Sequence, residues 1–382
     1  MKDQNYDELR SKYEKPAQDN VESLLHFKSV NAAEVTIEKQ TWLWDRYIPD
    51  QTCTLFAGRG GIGKSTLIAY LVAAISNGST FKINGLTHIM QQGKVILLSA
   101  EDNVKRTLVP RLIANGANLA NIEIIESTID VNSKEYERFV DLDRDIHVLE
   151  AYIKNAGNVK AIFLDPVSAY IGRIKDNSAV EVRNFILRLN RIAEKYNLAI
   201  ILNTHTRKKG THGDANGSAA DEIMGSSAWY NTVRQAFSIT QHHEDENLIL
   251  LICSKSNCGS KPEGVSYRIE PTEIENQGEI ISISRVNWQA GNVSMTADEA
   301  VHKGLYEEKL EVDIAKEFIL SQLMFGSKSK EEIERNAKNE DINPHTLKLA
   351  RQRLSREGTP IVIEGSPTDR RKKIWYIGSC SK

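Results

Sequence analysis

The chain is poor in cysteine, with four in 382 residues, and only Cys253 and Cys258 lie near one another. No pair has the spacing of a zinc site or a redox motif, so those chemistries are excluded and the thiols read as reduced packing residues. Nowhere does an apolar run approach the roughly 20 residues needed to span a bilayer, so no membrane contact is expected. The opening residues, Met1 to Arg10, are charged and lack an apolar signal core, which leads to the expectation of a cytoplasmic protein. A formal net charge of −2 gives no global pull toward nucleic acid, so any DNA or RNA contact must be local. The length and the 40% apolar content imply two or three domains with real cores.

What is present is the stretch Cys53 to Ile75, around which the rest is organised. An apolar run, Thr54 to Ala57, enters a loop with Gly58, Gly60, Gly61 and Gly63, then an apolar segment of helical propensity. The spacing G-x-x-x-x-G-K-S is complete from Gly58 to Ser65, in the strand, loop, helix order of a P-loop. Glycines let backbone N–H groups turn in around phosphate oxygens, and the helix adds its positive end. Lys64 then reaches the β- and γ-phosphates, Ser65 joins the Mg²⁺ shell, and Thr66 completes the phosphate-binding set. A bound nucleoside triphosphate with Mg²⁺ is the first expectation.

Two further buried runs end in acids. Val95 to Leu98 reads as a strand of a parallel sheet and is followed by Glu101 and Asp102. Ligands bind beyond the carboxyl ends of such strands. Glu101 is therefore either the general base that polarises the attacking water or, with Asp102, an N-cap acid ahead of a helix from Val104 to Ala114. Ala161 to Leu164 is closed by Asp165, a carboxylate placed to hold Mg²⁺ through water. Helical spacing from Val180 to Tyr196 places Val182, Phe185, Ile186, Leu189, Ile192 and Ala193 on one face. A third run from Leu198 ends at His205, which hydrogen-bonds a γ-phosphate or a neighbouring side chain, or stands in solvent. Arg207, Lys208 and Lys209 lead into a Gly-rich loop, Gly210 to Ile223, which reads as a nucleic-acid contact or as a solvated charge run. A short helix carrying Arg234 follows. Alternating strands from Ala236 to Ile283 then suggest an antiparallel extension, with Lys255 along it. Ahead of the P-loop, Trp42, Trp44 and Tyr47 either cover a sheet edge or meet a nucleotide base or a subunit.

Four segments are expected: a mobile arm at 1–30, an ATPase domain at 31–295, a linker at 296–308 and a small domain at 309–382. In the last, Val312 to Met324 forms a helix, and Ser329 with Glu332 has capping-box spacing for a second. Asn343-Pro344 opens a third, with Lys348, Arg351 and Arg353 pointing outward. Strands Ile361 to Glu364 and Lys373 to Ile377 flank a tip bearing Arg370, Arg371 and Lys372. Three helices and a basic hairpin describe a winged helix-turn-helix, used on duplex DNA or in protein contact.

The ordered set G-R-G-G-I-G-K-S, A-E-D-N, F-L-D-P-V-S-A-Y, N-T-H-T-R-K, G-S-S-A-W-Y-N-T-V-R and S-K-S-N-C-G resembles the RecA-like ATPases of the plasmid RepA type, which are hexameric replicative helicases. The resemblance runs from about Trp42 to Val286. It implies an α/β fold, a RecA-like P-loop NTPase core of mainly parallel sheet with an antiparallel extension, beside the winged helix. By this similarity the nucleotide is ATP, Glu101 is the catalytic glutamate and Asp165 the Walker B aspartate. His205 is the sensor, Arg234 an arginine finger offered to a neighbouring subunit, and Lys255 a second basic group near the γ-phosphate. Asn103 departs from the proline often found after the acidic pair. The implied partners are single-stranded DNA in the ring, further copies of the chain in a hexamer, and a primase or replication initiator. An ATP-switched regulator and a RecA-type recombinase are the rival readings.

Overall fold

The computed structural model describes residues 29–130, 136–206, 227–242, 244–293, 295–324, 326–365 and 373–378. The chain divides into two compact units, Met1–Gln40 and Thr41–Lys382. The first holds, among its described residues, one 3-10 turn, Ala32–Glu34, with the Asn31 side chain capping Ala33 N–H. The remainder of the expected arm lies outside the described residues.

The second unit is built on a nine-stranded sheet. Its strands, in chain order, are β1 (Cys53–Gly58), β2 (Lys94–Ser99), β3 (Ile122–Ile124), β4 (Val159–Asp165), β5 (Ala199–His205), β6 (Gln235–Gln241), β7 (Leu248–Ser256), β8 (Gly264–Asn276) and β9 (Glu279–Val293). The spatial order is β9-β8-β7-β6-β1-β5-β4-β2-β3. From β6 to β3 every pairing is parallel, and β6-β7-β8-β9 is antiparallel. The inner strands are apolar on both faces because both faces are covered. Phe56, Leu97, Phe163 and Ile201 pack with Leu67 and Leu71 of helix α1 (Lys64–Asn77) and Leu112 of α2 (Val109–Ala114). Leu55, Leu98, Leu164 and Leu202 face the other way, onto Leu149 of α3 (Leu142–Ala156) and Phe185 and Leu189 of α4 (Ala179–Tyr196). Each fully buried side chain of this kind contributes roughly 1.5–3 kcal/mol.

Trp44 and Tyr47 belong to the first of these cores. Their rings stack at 4.1 Å, and Trp44 Nε1 donates to His88 Nδ1 at 3.0 Å. With both buried, they cover the sheet and offer no face to a nucleotide base.

The expected linker is helical. Helix α6 runs unbroken from Ala297 to Leu323, after a short helix α5 (Ser227–Thr232) that ends two residues before Arg234. Residues 297–308 are mostly good helix formers, with Gly304 the one weak position, so propensity carries the helix through. Ala297 packs on Leu250 and Ile252 of β7, whereas Ala315, Ile319 and Leu323 join a separate core. That core is completed by α7 (Lys330–Asn339), α8 (Pro344–Arg356) and a small sheet of β10 (Lys328–Ser329), β11 (Ile361–Gly365) and β12 (Lys373–Ile377), in the order β10-β12-β11. Ser329 caps α7 by accepting from Glu332 N–H at 3.1 Å, and Asn343 caps α8 by accepting from Thr346 N–H at 2.8 Å.

One charged cluster fastens the start of α3. Asp145, 4% exposed, accepts from Arg138 Nη1 and Nη2 at 2.7 and 2.5 Å, Thr128 Oγ1 at 3.1 Å and Asp141 N–H at 3.0 Å. The Arg138 bonds hold its carboxyl at about 2, although burial pushes the other way. A folded-state value below that of the unfolded chain means full stabilisation above about pH 4, lost as pH falls toward 2. Asp145→Asn is expected to destabilise the protein by about 2–3 kcal/mol at pH 7 in urea unfolding, the scale of hydrogen bonds to a charged group. The gap to the unmutated chain is expected to narrow below pH 4.

Candidate nucleotide site

Gly58 ends β1 where it passes closest to β6: a Cβ there would collide with the carbonyl oxygen of Ile239. The chain then turns through Gly61 and Gly63, at φ of 80° and 87°, conformations that glycine adopts without strain. Gly63 caps α1, and its carbonyl accepts from Thr66 and Leu67 N–H, both at 3.1 Å. A Cβ on Gly61 would enter open space. The turn therefore opens on its concave side while the N-terminal end of α1, with Lys64 as its first residue, supplies a positive dipole.

Strand register assembles the rest. Gly58 pairs with His205, Leu164 with Leu202, and Asp165 with Ser99, so the carboxyl ends of β1, β5, β4 and β2 lie side by side. Lys64 is 4% exposed; its Nζ donates to Arg59 O at 2.8 Å and lies 3.1 Å from His205 Nδ1. His205 Nε2 is 3.1 Å from Glu101 Oε1. A neutral imidazole satisfies both contacts when Nδ1 accepts from the ammonium and Nε2–H donates to the carboxylate. Burial lowers the Lys64 ammonium to about 8, against the pull of Asp165 and Glu101. Burial likewise raises the carboxyl of Asp165, 3% exposed, against hydrogen bonds from Asn203 Nδ2 and the Ser65 hydroxyl; Asp102 and Glu101 add to the rise.

Lys64, Ser65, Glu101, Asp165 and His205 are thus brought together, with Gly58, Gly60, Gly61, Gly63 and Thr66 around them. Asn203 was missed in the sequence. Its signal was a lone amide inside an apolar strand, two residues before His205. Asp102 does not cap a helix: it pairs with Arg111 of α2 at 2.5 Å. The cap is Asn103, whose Oδ1 accepts from Arg106 N–H at 2.9 Å, which gives that residue a local role where proline has none to offer. Glu101 meets His205 and caps nothing.

Arg234 and Lys255 are elsewhere. Gln235, next to Arg234, pairs with Thr54, four residues down β1 from Gly58 and so about 13 Å away. Lys255 Nζ donates to Tyr230 O and Asn231 O at 2.8 and 2.9 Å and lies 5.3 Å from the Tyr230 ring centre. On α8, Lys348 and Arg351 face one side, while Arg353 turns to Asp313 and Glu357, both at 3.7 Å, instead of outward. Arg207, Lys208, Lys209, the loop from Gly210 to Ile223, and Arg370, Arg371 and Lys372 lie outside the described residues.

Among the described residues no three His, Cys, Asp or Glu side chains cluster to cage a metal. The adjacent Ser65 hydroxyl and Asp165 carboxylate are hard oxygen donors, and they suit Mg²⁺, which keeps several waters and takes its other ligands from phosphate.

A glycine turn feeding a helix N-terminus, beside strand tips that carry a buried lysine and aspartate, defines a P-loop ATPase of mixed α/β fold. The chain belongs to the AAA domain family AAA_25, matched over residues 21–211. It is also similar to a solved structure of a helicase ATPase domain, at 12% identity and a TM-score of 0.42, over 61% of this chain and 85% of that one. No curated protein matches. No helix among the described residues is long and apolar enough to cross a membrane.

Two glycine variants separate space from conformation. Gly58→Ala presses on the β6 backbone and is expected to cost about 1–3 kcal/mol and to weaken binding of an ATP analogue. Gly61→Ala has room and only an unfavourable φ, so it is expected to cost about 1–2 kcal/mol. Thermal unfolding with and without the analogue measures both. Weakened binding in Gly61→Ala alone would contradict the assignment.

Proposed function

We propose that this chain is a ring-forming RecA-type motor, coupling ATP hydrolysis to DNA translocation or unwinding in the replication of a plasmid, phage or mobile element. The observation that carries the reading is the separation within one protomer. Lysine, carboxylates and histidine meet at one end of β1, and the exposed Arg234 stands about 13 Å off at the other, farther than an arginine side chain reaches. A neighbouring copy is the natural source of the arginine, and repeated head-to-tail contacts of that kind close into rings such as a hexamer.

In this reading Lys64 and the loop N–H groups hold the β- and γ-phosphates of ATP. Ser65 and Asp165 hold Mg²⁺, which when bound offsets charge on the phosphates. Glu101 orients and polarises the attacking water. A γ-phosphate competes with His205 for Lys64, so His205 registers its presence and, through Glu101, passes that to the base. Arg234 and Lys255 of the next copy stabilise charge on the transferred group. Arg207, Lys208, Lys209 and the loop after them contact single-stranded DNA within the ring.

The order of α6, β10, α7, α8, β11 and β12 supports a winged helix, with Lys348, Arg351, Arg370, Arg371 and Lys372 toward duplex DNA and Arg353 bracing α6 instead. A primase or replication initiator is the expected protein partner. The basic side of α8 also favours a second reading, an ATP-switched regulator bound to one duplex site. ATPase activity raised by single-stranded DNA of any sequence favours the motor. Stimulation by one duplex alone favours the regulator.

Arg234→Ala is expected to lower ATP turnover by about 10³-fold or more while ATP still binds. Glu101→Gln is expected to be equally inactive. Mixed together, the two variants are expected to recover part of the rate, because the first keeps Glu101 and the second keeps Arg234 for its neighbour. Full activity of Arg234→Ala alone, or no recovery in mixed rings, would sink the cross-subunit site.

A further inference from the structure

A second concave feature lies far along the chain from the P-loop. It is a cavity of about 290 Å³ between the first turns of α7 and α8 and the strands β11 and β12. Four cations line it, Lys330, Lys348, Arg351 and Lys373, against one acid, Glu334, which is already 3.3 Å from Lys330 Nζ. Among the described residues Lys348, Arg351 and Lys373 have no carboxylate partner. Pro344 brings the N-terminal end of α8 to the same rim, adding its positive dipole.

The lining is otherwise apolar, from Leu347, Ile363 and Trp375. Trp375 is 4% exposed, and its indole N–H is buried without a hydrogen-bond partner. The Arg351 guanidinium carbon sits 5.5 Å from the Trp375 ring centre, so this cation is held over the indole and not loose in solvent.

The chemistry of the occupant follows. Every polar side-chain group on the lining except the committed Glu334 is a donor, so the ligand must be rich in acceptors and negatively charged. The apolar wall asks for a flat, weakly polar part beside that charge. The volume, at the low end of small-molecule sites, admits one nucleotide-sized group and no duplex segment.

We propose that this pocket takes one nucleotide swung out of a single strand, its phosphate among Lys330, Lys348 and Lys373 and its base against Arg351 and Trp375. This rests on the reading that the C-terminal domain contacts DNA, and narrows that contact to a single unstacked nucleotide. Bases offered to stacking partners are bound with little regard to sequence, so the site is a general strand holder.

The test uses the full chain carrying 5-fluorotryptophan, with the Trp375 resonance assigned through Trp375→Phe. Octathymidylate is expected to shift that resonance saturably. Lys348→Ala with Lys373→Ala, both at the pocket rim, is expected to weaken the octamer about tenfold and to reduce the salt dependence by about one unit per lysine. Affinity for an ATP analogue is expected to stay unchanged in that variant.

Thymidine monophosphate and an octaglutamate peptide are the comparison ligands. A resonance unmoved by saturating octamer, moved only by the monophosphate, or moved equally by octaglutamate overturns the proposal. So does a shift of undiminished affinity in the double variant. Failure of the motor reading shows separately, as ATPase activity indifferent to DNA in samples whose Trp375 signal still moves.

Discussion

The parallel pairing of β1 with β5 is the constraint on which the rest of the site depends. With Gly58 opposite His205, the glycine loop and the histidine share one height on the sheet. The next pairings carry that height across to Asp165 and Ser99. A slip of one residue in either strand would turn His205 to the opposite face and bring a buried apolar side chain to the phosphate loop. The register is held by apolar side chains on both faces, so the slip would also expose two cores at once. On its other edge β1 approaches β6 so tightly that only glycine fits at position 58. Site and core are fixed by one set of backbone hydrogen bonds.

Holding a lysine and an aspartate together below the surface has an electrostatic consequence. Burial lowers the ammonium of Lys64 and raises the carboxyl of Asp165, moving both toward neutrality. Each is rescued in part by short-range partners, Arg59 O and His205 for the lysine, Asn203 and Ser65 for the aspartate. Triphosphate with a divalent cation supplies the countercharges that both groups lack, the anion for Lys64 and the cation for Asp165. The site is therefore arranged to gain most from that pair of charges arriving together.

The legible part of this arrangement was local. Glycine spacing, a lysine and hydroxyl at a helix start, and apolar runs ending in acids each state their chemistry within a dozen residues. The sheet and the helices of the C-terminal domain were legible by the same periodicities. What escaped depended on contacts between distant segments. Asp145 takes Arg138 and Thr128 from a strand pair with no motif, and Asp102 is claimed by Arg111, which leaves the cap to Asn103. Arg353 reads as outward on a helical wheel, yet Asp313 of another helix lies within reach. The stretch 297–308 resembles a linker because it is rich in charge and lacks a one-faced apolar pattern, while its helix propensity is the signal the backbone follows.

That helix changes how the two parts of the second unit are joined. A flexible linker would let the C-terminal domain sample many orientations independently of the sheet. A continuous α6 of 27 residues, about 40 Å long, is instead a strut with a core at either end. Its first turn rests on Leu250 and Ile252, and Lys255 follows three residues later on the same strand, next to Arg234. A displacement of that strand end moves the base of the strut, and the lever carries it to α7, α8 and the small sheet. Any event that shifts Arg234 and Lys255 is thus mechanically connected to the basic side of α8, without the two ever needing to touch.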